Sequence, residues 1–313
     1  MRAALAAAGV ASPRFLVTDL DEPAPEVARR VNAEAAAPGW PVVVKPLLLS
    51  GSRGVIRADD AAALATALGR VRTMLRAPEL LELDAVAARQ ILVEAFVPGP
   101  EVALEGVLVR GTLRTLAIFD KPDPLDGPYF EETIYQTPSR LPAITQAEVS
   151  AVVQRAARAM GLCEGPVHAE LRTAGDAPVV IEVAARSIGG LCSRMLRFGT
   201  GRSLEEILVR HALGEPLGDA RREAAAVGTM MIPIPRAGVL KAVHGEAEAR
   251  AVAGITEVVI SEALERVLVP LPEGSSYLGF LFARAATPAE VEHALRTAHA
   301  CLSFTIAPML PVG

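Results

Sequence analysis

Two carboxylates, Glu170 and Glu182, carry the strongest chemical signal in this chain. They fall in His168-Ala169-Glu170-Leu171-Arg172 and Val179-Val180-Ile181-Glu182-Val183-Ala184-Ala185-Arg186. The turn-rich Thr173-Ala174-Gly175-Asp176-Ala177-Pro178 joins the two segments, a pattern that predicts a β-hairpin. Period-two alternation places Val167, Ala169, Leu171, Val179, Ile181 and Val183 on a core face, and His168, Glu170, Arg172, Glu182 and Arg186 on the opposite one. With the turn centred on Asp176, Glu170 and Glu182 face each other at a Cβ separation of about 5 Å, a like-charge pairing that is destabilising unless a cation lies between them. Magnesium, a hard cation that takes oxygen ligands, suits that place. The competing reading is a solvated hairpin whose acids pair with Arg172 and Arg186.

A second chemical signal is Lys45, at the end of the β-rich run Trp40 to Pro46 and just before the small-residue loop Ser50-Gly51-Ser52-Arg53-Gly54. Backbone N–H groups of such a loop can wrap phosphate oxygens, and a lysine adds a point charge. The loop has neither the Gly-Lys-Ser/Thr of a Walker A motif nor a Gly-x-Gly-x-x-Gly opening a helix, and an ordinary surface turn would look the same. Only Lys45, Lys121 and Lys241 among the 31 basic residues are lysines, so each lysine retained in this Arg- and Ala-rich chain merits scrutiny. Glu94-Ala95-Phe96-Val97 followed by Gly99-Pro100-Glu101 is ambiguous by itself, since a strand edge with a proline turn would read alike.

These residues need positioning elements. Arg2 to Gly9 reads as a helix ended by glycine, Arg14 to Val17 as a strand, and Pro25 to Ala36 as an amphipathic helix. Trp40 to Pro46, the small-residue loop, Val55-Ile56 and a helix from about Asp59 to Leu75 form a β-loop-β-helix unit. Ile91 to Phe96 is a strand, and Glu101 to Val109 with Leu113 to Phe119 a long hairpin. Thr145 to Gly161 reads as a helix opened by a Thr145/Glu148 capping box, and Leu204 to Leu213 as another helix. From about Ala226 the pattern shifts to short strands (228–234, 239–243, 256–261 and 277–284) and a helix from Pro288 to Cys301, as in a separate α+β module. The stretch from Phe119 to Tyr135 is too long and turn-rich to be a mere connector.

Composition limits the function classes. Hydrophobic residues make up 51 % and charged residues 21 %, with a net charge of −5, which fits a globular chain without an electrostatic grip on nucleic acid. Cys163, Cys192 and Cys301 are odd in number and show no metal-ligand spacing; they point to a reducing, cytoplasmic setting. The N-terminal apolar stretch is short, poor in Leu and followed by Thr18-Asp19-Leu20-Asp21-Glu22, which reads as a helix rather than a signal peptide. There is no apolar run long enough for a membrane span.

In chain order these features are a strand lysine, a Gly/Ser loop, Glu-x-x-Val-x-Gly-x-Glu, a His-x-Glu strand and a Glu-x-x-x-Arg-x-x-Gly-Gly strand. That order resembles the ATP-grasp superfamily, and within it the carboxylate-amine ligases that include the L-amino acid ligases. The segments Pro233 to Leu240 and Leu278 to Leu281 are similar to the closing module of those ligases. The resemblance implies an α+β ATP-grasp fold, with two α+β subdomains sandwiching ATP and a C-terminal α+β module. Residues 1–22 would be a remnant of the N-terminal region, 23–93 the lid subdomain, 94–225 the catalytic subdomain and 226–313 the ligase-type module. The family's N-terminal Rossmann-like domain and an ATP-contacting lysine just upstream are expected to be absent, so that the chain is shortened relative to its natural form, a homodimer partner or another chain supplies those contacts, or the substrate site is unusually open.

The resemblance also implies roles. Lys45 would contact the α- and β-phosphates under a lid formed by Ser50, Gly51, Ser52 and Gly54. Glu94 would accept from the adenine amino group, the backbone of Ala95, Phe96 and Val97 would read the ring edge, and Glu101 would bind the ribose. Glu170 and Glu182 would hold Mg2+, with Mn2+ as an alternative, although Ala184 replaces an Asn oxygen ligand that the family often carries. Arg186 would stabilise an acyl-phosphate and the tetrahedral species formed from it. Glu132 would sit near the incoming amine, Tyr135 would shape its pocket, Lys121 is a further candidate there, and His168 would be an acid/base or positioning group. The activity so implied is ATP-dependent joining of small carboxylates and amines, amino acids among them, into an amide or dipeptide. The alternatives are a non-catalytic nucleotide-binding protein of the same fold and an ATP-grasp enzyme with another nucleophile.

Overall fold

A computed structural model describes residues 1–33, 37–84, 86–173, 175 and 177–309. The chain runs α1 (Arg2–Ala7), β1 (Phe15–Asp19), α2 (Ala24–Val31), β2 (Val42–Pro46), β3 (Ile56–Ala58), α3 (Ala61–Leu75), α4 (Pro78–Leu83), β4 (Gln90–Ala95), β5 (Glu101–Val109), β6 (Thr112–Lys121), β7 (Ile134–Thr137) and α5 (Ala143–Ala159). It continues through β8 (Gly165–Arg172), β9 (Val179–Ala184), α6 (Leu204–Ala212), β10 (Ala226–Ile232), β11 (Gly238–His244), α7 (Glu246–Ala251), β12 (Ile255–Ile260), β13 (Val267–Leu268), β14 (Gly279–Ala285), α8 (Pro288–Cys301) and β15 (Ser303–Ala307).

Local chemistry starts several of these helices. The Asp60 side chain accepts from Ala62 N and Ala63 N at 3.0 and 2.8 Å, satisfying orphan donors at the start of α3. That helix then buries Leu64, Leu68, Val71 and Leu75 at helical spacing against the small sheet. In α8 the reciprocal Thr287/Glu290 capping box forms. The expected box at Thr145 does not: α5 begins earlier, at Ala143, with Pro142 as its N-cap and no side-chain cap. Thr145 therefore lies inside the first turn, where its hydroxyl is past the cap position. The helix predicted over Pro25 to Ala36 is Ala24–Val31, and residues 34–36 lie outside the described residues.

Among the described residues, three antiparallel sheets organise the chain. Four strands in the order β1-β4-β2-β3 form a small sheet, which packs on α2 and α3 through Val27, Val31, Val42, Val44, Leu64 and Leu68. Eight strands in the order β12-β14-β10-β7-β6-β5-β8-β9 form the large sheet. One face of its β5–β8–β9 end packs on α1 and α5, with Leu5, Leu104, Val153 and Leu171 in one cluster. The other face packs under the segment from Ile188 to Ile207. Residues after 226 are not segregated from it: β10, β12 and β14 are hydrogen-bonded into this sheet, while β11, β13 and β15 make a third, three-stranded one.

The carboxylate hairpin forms with Glu170 opposite Glu182 and His168 opposite Ala184. A bulge follows Glu170, after which Leu171 pairs with Val180 and Arg172 with Val179. The expected core face is thereby corrected on β9. Val180 is the fully buried residue that joins Val167, Ala169, Leu171 and Val183 in the core, and Ile181 turns toward the cavity described below. A bulge adds one residue to one strand and so shifts its side-chain alternation, which period-two counting cannot foresee. Asp176, the expected turn centre, lies outside the described residues.

Candidate active site

A cavity of about 710 Å³ opens between the small sheet and the large one, with the loop before β14 as a further wall. Residues more than a hundred positions apart in sequence line it, including Lys45, Glu94, Glu101, Glu132, His168, Glu170, Glu182 and Arg186. Ser50, Gly51 and Ser52 and the run Ala95, Phe96 and Val97 line it too. Of the site residues expected from sequence, Lys121 is missing from the lining, and so is Gly54. It serves the loop from behind: its φ is +74°, a Cβ there would lie 2.9 Å from Pro46 Cγ, and its N–H donates to Pro272 O at 2.8 Å. Only glycine meets both demands without strain.

At the small-sheet end, β2 and β4 are adjacent in the sheet and bring Lys45 Nζ onto the Glu94 carboxylate. Arg2 reaches the same carboxylate at 2.7 Å and donates to Val180 O and Ile181 O at 2.8 and 2.6 Å, tying α1 to the bulged hairpin. Burial opposes ionisation of Glu94, but Lys45 and Arg2 overcome it and hold the acid below its ordinary range. Sequence reasoning did not single out Arg2, since an arginine on a short N-terminal helix has no distinguishing spacing.

In the middle, Lys121 is buried among three acids. Its Nζ donates to Glu101 at 2.6 Å and Glu170 at 2.9 Å, and also to Glu132. Carboxylate oxygens of these three acids lie within 4.8 Å of one another, so the ammonium supplies the cation that this cluster needs. Arg172 completes the set with a 2.8 Å contact to Glu101. Tyr135 donates to Glu132 at 2.6 Å, and its ring packs at 4.8 Å from Lys121 Nζ. Burial works against the Lys121 charge, but the three carboxylates more than offset it and raise the ammonium well above its usual range. Glu170 is held well below its ordinary value because Lys121 and His168 outweigh its burial. Glu132 is pushed up to about 7, chiefly by burial, with Lys121 opposing and Glu170 reinforcing the rise.

His168 bridges two acids, with Nδ1 3.1 Å from Glu105 and Nε2 3.6 Å from Glu170. Burial disfavours its cation, yet the two carboxylates win and raise it to about 9. This arrangement gives it the character of a positioning group. Glu182 and Arg186 are different: their side chains are 51 % and 52 % exposed and lie 3.9 Å apart, facing the open cavity. Burial and then the Glu170 charge raise the Glu182 acid, as expected where two carboxylates oppose one another. Ile188, Cys192, Met231, Tyr277 and Phe280 give the cavity an apolar wall near Glu132. Tyr277 and Phe280 were read only as strand residues, because an aromatic in a strand reads as core whichever way it faces.

The donor set fits a divalent cation. Glu170 and Glu182 offer hard oxygens from paired strands, and Glu182 has, among the described residues, only the long contact to Arg186 as an ion pair. Mg2+ takes few carboxylate ligands and keeps waters, so Ala184 does not disqualify the pair.

The ATP-grasp domain family matches residues 39–195, and the L-amino acid ligase C-terminal domain 2 family matches residues 230–307. The crystal structure of L-amino acid ligase from Bacillus licheniformis superposes with a TM-score of 0.81 at 27 % identity, covering 97 % of this chain and 72 % of that one. An uncharacterized protein, y4rH, of Sinorhizobium fredii is 28 % identical over 98 % of this chain and 60 % of its own length. Dapdiamide A synthase of Enterobacter agglomerans is 28 % identical over 48 % of this chain and 34 % of its own. The chain thus spans less than two thirds of the curated relatives it matches here. On the match across the small sheet, the carboxylate hairpin and the cavity between them, this chain belongs to the ATP-grasp domain family.

Proposed function

We propose that the protein is an ATP-dependent carboxylate-amine ligase that forms an amide or dipeptide through an acyl-phosphate. The observation that carries this reading is the convergence on one cavity of a phosphate-type loop, paired acids, a free-facing arginine and a buried carboxylate beside an apolar wall. The family assignment and the likeness to an L-amino acid ligase support it.

In this reading Lys45 and the Ser50–Gly54 loop bind phosphate oxygens, the Ala95–Val97 backbone meets the adenine edge, Glu94 accepts from its amino group, and Glu101 holds the ribose. Glu170 and Glu182 would hold Mg2+, which would supply charge neutralisation at the phosphates. A substrate carboxylate oxygen attacks the γ-phosphorus, the bond to the β-phosphate breaks, and ADP leaves. The amine then attacks the acyl carbon and the acyl C–O bond breaks, releasing phosphate. Arg186 stands where negative charge builds on oxygen, and fixed positive charge there lowers the barrier. Glu132 holds the incoming ammonium and takes its proton, a task suited to an acid near 7. Covering the cavity keeps water from the acyl-phosphate. No helix among the described residues is long and apolar enough to cross a membrane, and small amino acids in the cytoplasm fit as substrates.

Ala184 favours a second reading, a nucleotide-binding protein without turnover. One experiment separates the two. Mg-ATP is supplied with pairs of amino acids and carboxylates, ADP and phosphate release are followed, and products are weighed by mass spectrometry. Pair-dependent release with a condensed product supports the ligase; ATP binding with no substrate-stimulated ADP release sinks it.

A further inference from the structure

Glu105, on β5, takes no part in the roles described above, yet it is fully buried and stands opposite His168 in the sheet. Its Oε2 accepts from Ile188 N at 3.0 Å and lies 3.1 Å from His168 Nδ1. Its other oxygen is buried with no hydrogen-bond partner. A buried carboxylate with an unsatisfied oxygen is costly, and the neighbouring residues on that face are Ala103, Ala117 and Phe119, among which an apolar side chain would pack more cheaply. Such an expense calls for a reason beyond packing.

The reason lies in where Ile188 sits. It follows Arg186 by two residues, after β9 has ended. The Arg186 side chain is half-exposed, and among the described residues its hydrogen bond and ion pair are local: Ser187 O at 2.9 Å and Glu182 at 3.9 Å. The guanidinium is therefore placed by the backbone of residues 186–190, and Glu105 binds that backbone to β5. The same oxygen meets His168, whose other nitrogen faces Glu170. One atom thus links the arginine loop to the carboxylate strand.

We infer that Glu105 is a positioning residue for Arg186: it fixes the loop after β9 against β5 and β8 so that the guanidinium is held over the reacting end of the cavity. This rests on the ligase reading for what Arg186 does there. Misplacing a reacting group by about 1 Å can cost on the order of a hundredfold in rate, so loss of the tether is expected in turnover rather than in nucleotide affinity.

The test uses the full chain with Glu105→Leu and Glu105→Gln. Gln keeps an oxygen for Ile188 N and His168; Leu removes it at similar volume. Hydrogen–deuterium exchange at the Ile188 amide should match wild type in Glu105→Gln and quicken at least about tenfold in Glu105→Leu, the loss of one buried bond. For amide formation, Glu105→Leu should lower kcat at least about tenfold with the KM for ATP within about threefold, and Glu105→Gln should restore it. Should the Leu variant not fold, Glu105→Met replaces it. The inference is overturned if the apolar variant keeps wild-type exchange and kcat, if Gln and the apolar residue lose kcat equally, or if kcat and ATP affinity fall together. Wild-type protein that makes no amide overturns the ligase reading instead, while exchange at Ile188 still decides whether the tether exists.

Discussion

Arg70 on α3 clasps Glu273 with two parallel hydrogen bonds of 2.7 Å, joining the small-sheet subdomain to the loop before β14. The same arginine reaches Tyr129 OH. Arg53 Nε donates to Glu273 O at 2.7 Å, so the phosphate-type loop is tied to that loop as well. The bidentate geometry is the strong form of this pair, although both side chains are more than a third exposed.

Breaking the clasp should loosen the cover without unfolding the protein. A partly exposed pair contributes about 0.2–1 kcal/mol, so Glu273→Ala and Arg70→Ala should each raise ADP release relative to amide formed by up to about fivefold, with little change in thermal midpoint. The double charge reversal, Arg70→Glu with Glu273→Arg, should recover most of the coupling. An ADP-to-amide ratio unchanged in both single variants would show that the clasp does not govern closure.

Glu182 and Arg186 face the cavity together yet should fail differently. Glu182→Gln should abolish turnover and weaken ATP binding in Mg2+. Arg186→Ala should leave ATP affinity within about threefold while kcat drops about a hundredfold or more, the usual scale for losing a charge-stabilising group. Isothermal titration with Mg-ATP and steady-state kinetics separate these effects; a variant of Arg186 that loses affinity but keeps kcat contradicts its role.

The raised Glu132 acid gives a pH signature. Its carboxylate must be ionised to hold an ammonium, so kcat/KM should climb as pH rises through about 7, and Glu132→Gln should remove that limb along with most activity. Stability runs the other way. The ordinary value is 4.5 and the native value about 7, so between those pH values the unfolded chain loses a proton that the native state retains. Native stability from this group therefore falls across that window as pH rises, and denaturant titrations of Glu132→Gln should show a shallower decline.

Arg2 should matter far more than its place near the chain start implies. Its side chain is 4 % exposed and Glu94 is 2 % exposed, and breaking one partner of a buried pair costs about 3–5 kcal/mol. Arg2→Ala should therefore lower stability by that order in chemical denaturation, with ATP affinity reduced because Glu94 is then left to Lys45. A loss below about 1 kcal/mol would contradict the pairing.

Much of the site was legible before the fold because its chemistry is local in sequence. A lysine at a strand end, a Gly/Ser loop and a His-x-Glu strand each keep their spacing when the chain folds, and a turn centred on Asp176 puts Glu170 opposite Glu182, although the bulge beyond Glu170 shifts the pairs that follow. Strand alternation likewise located Val167, Ala169, Leu171 and Val183 in the core. It put Val179 and Ile181 in the core in place of Val180, because a bulge has no fixed sequence mark.

By itself the sequence determined the order of elements and the chemical types of many cavity residues, since these depend on short-range periodicity and side-chain chemistry. Only the tertiary structure decided which acids own which cations. Lys121 joined Glu101, Glu132 and Glu170, Arg2 came to Glu94, Glu105 reached Ile188, and Arg70 paired with Glu273. Each of these contacts spans tens to hundreds of residues, and charge pairing acts through distance in space, which sequence separation does not encode.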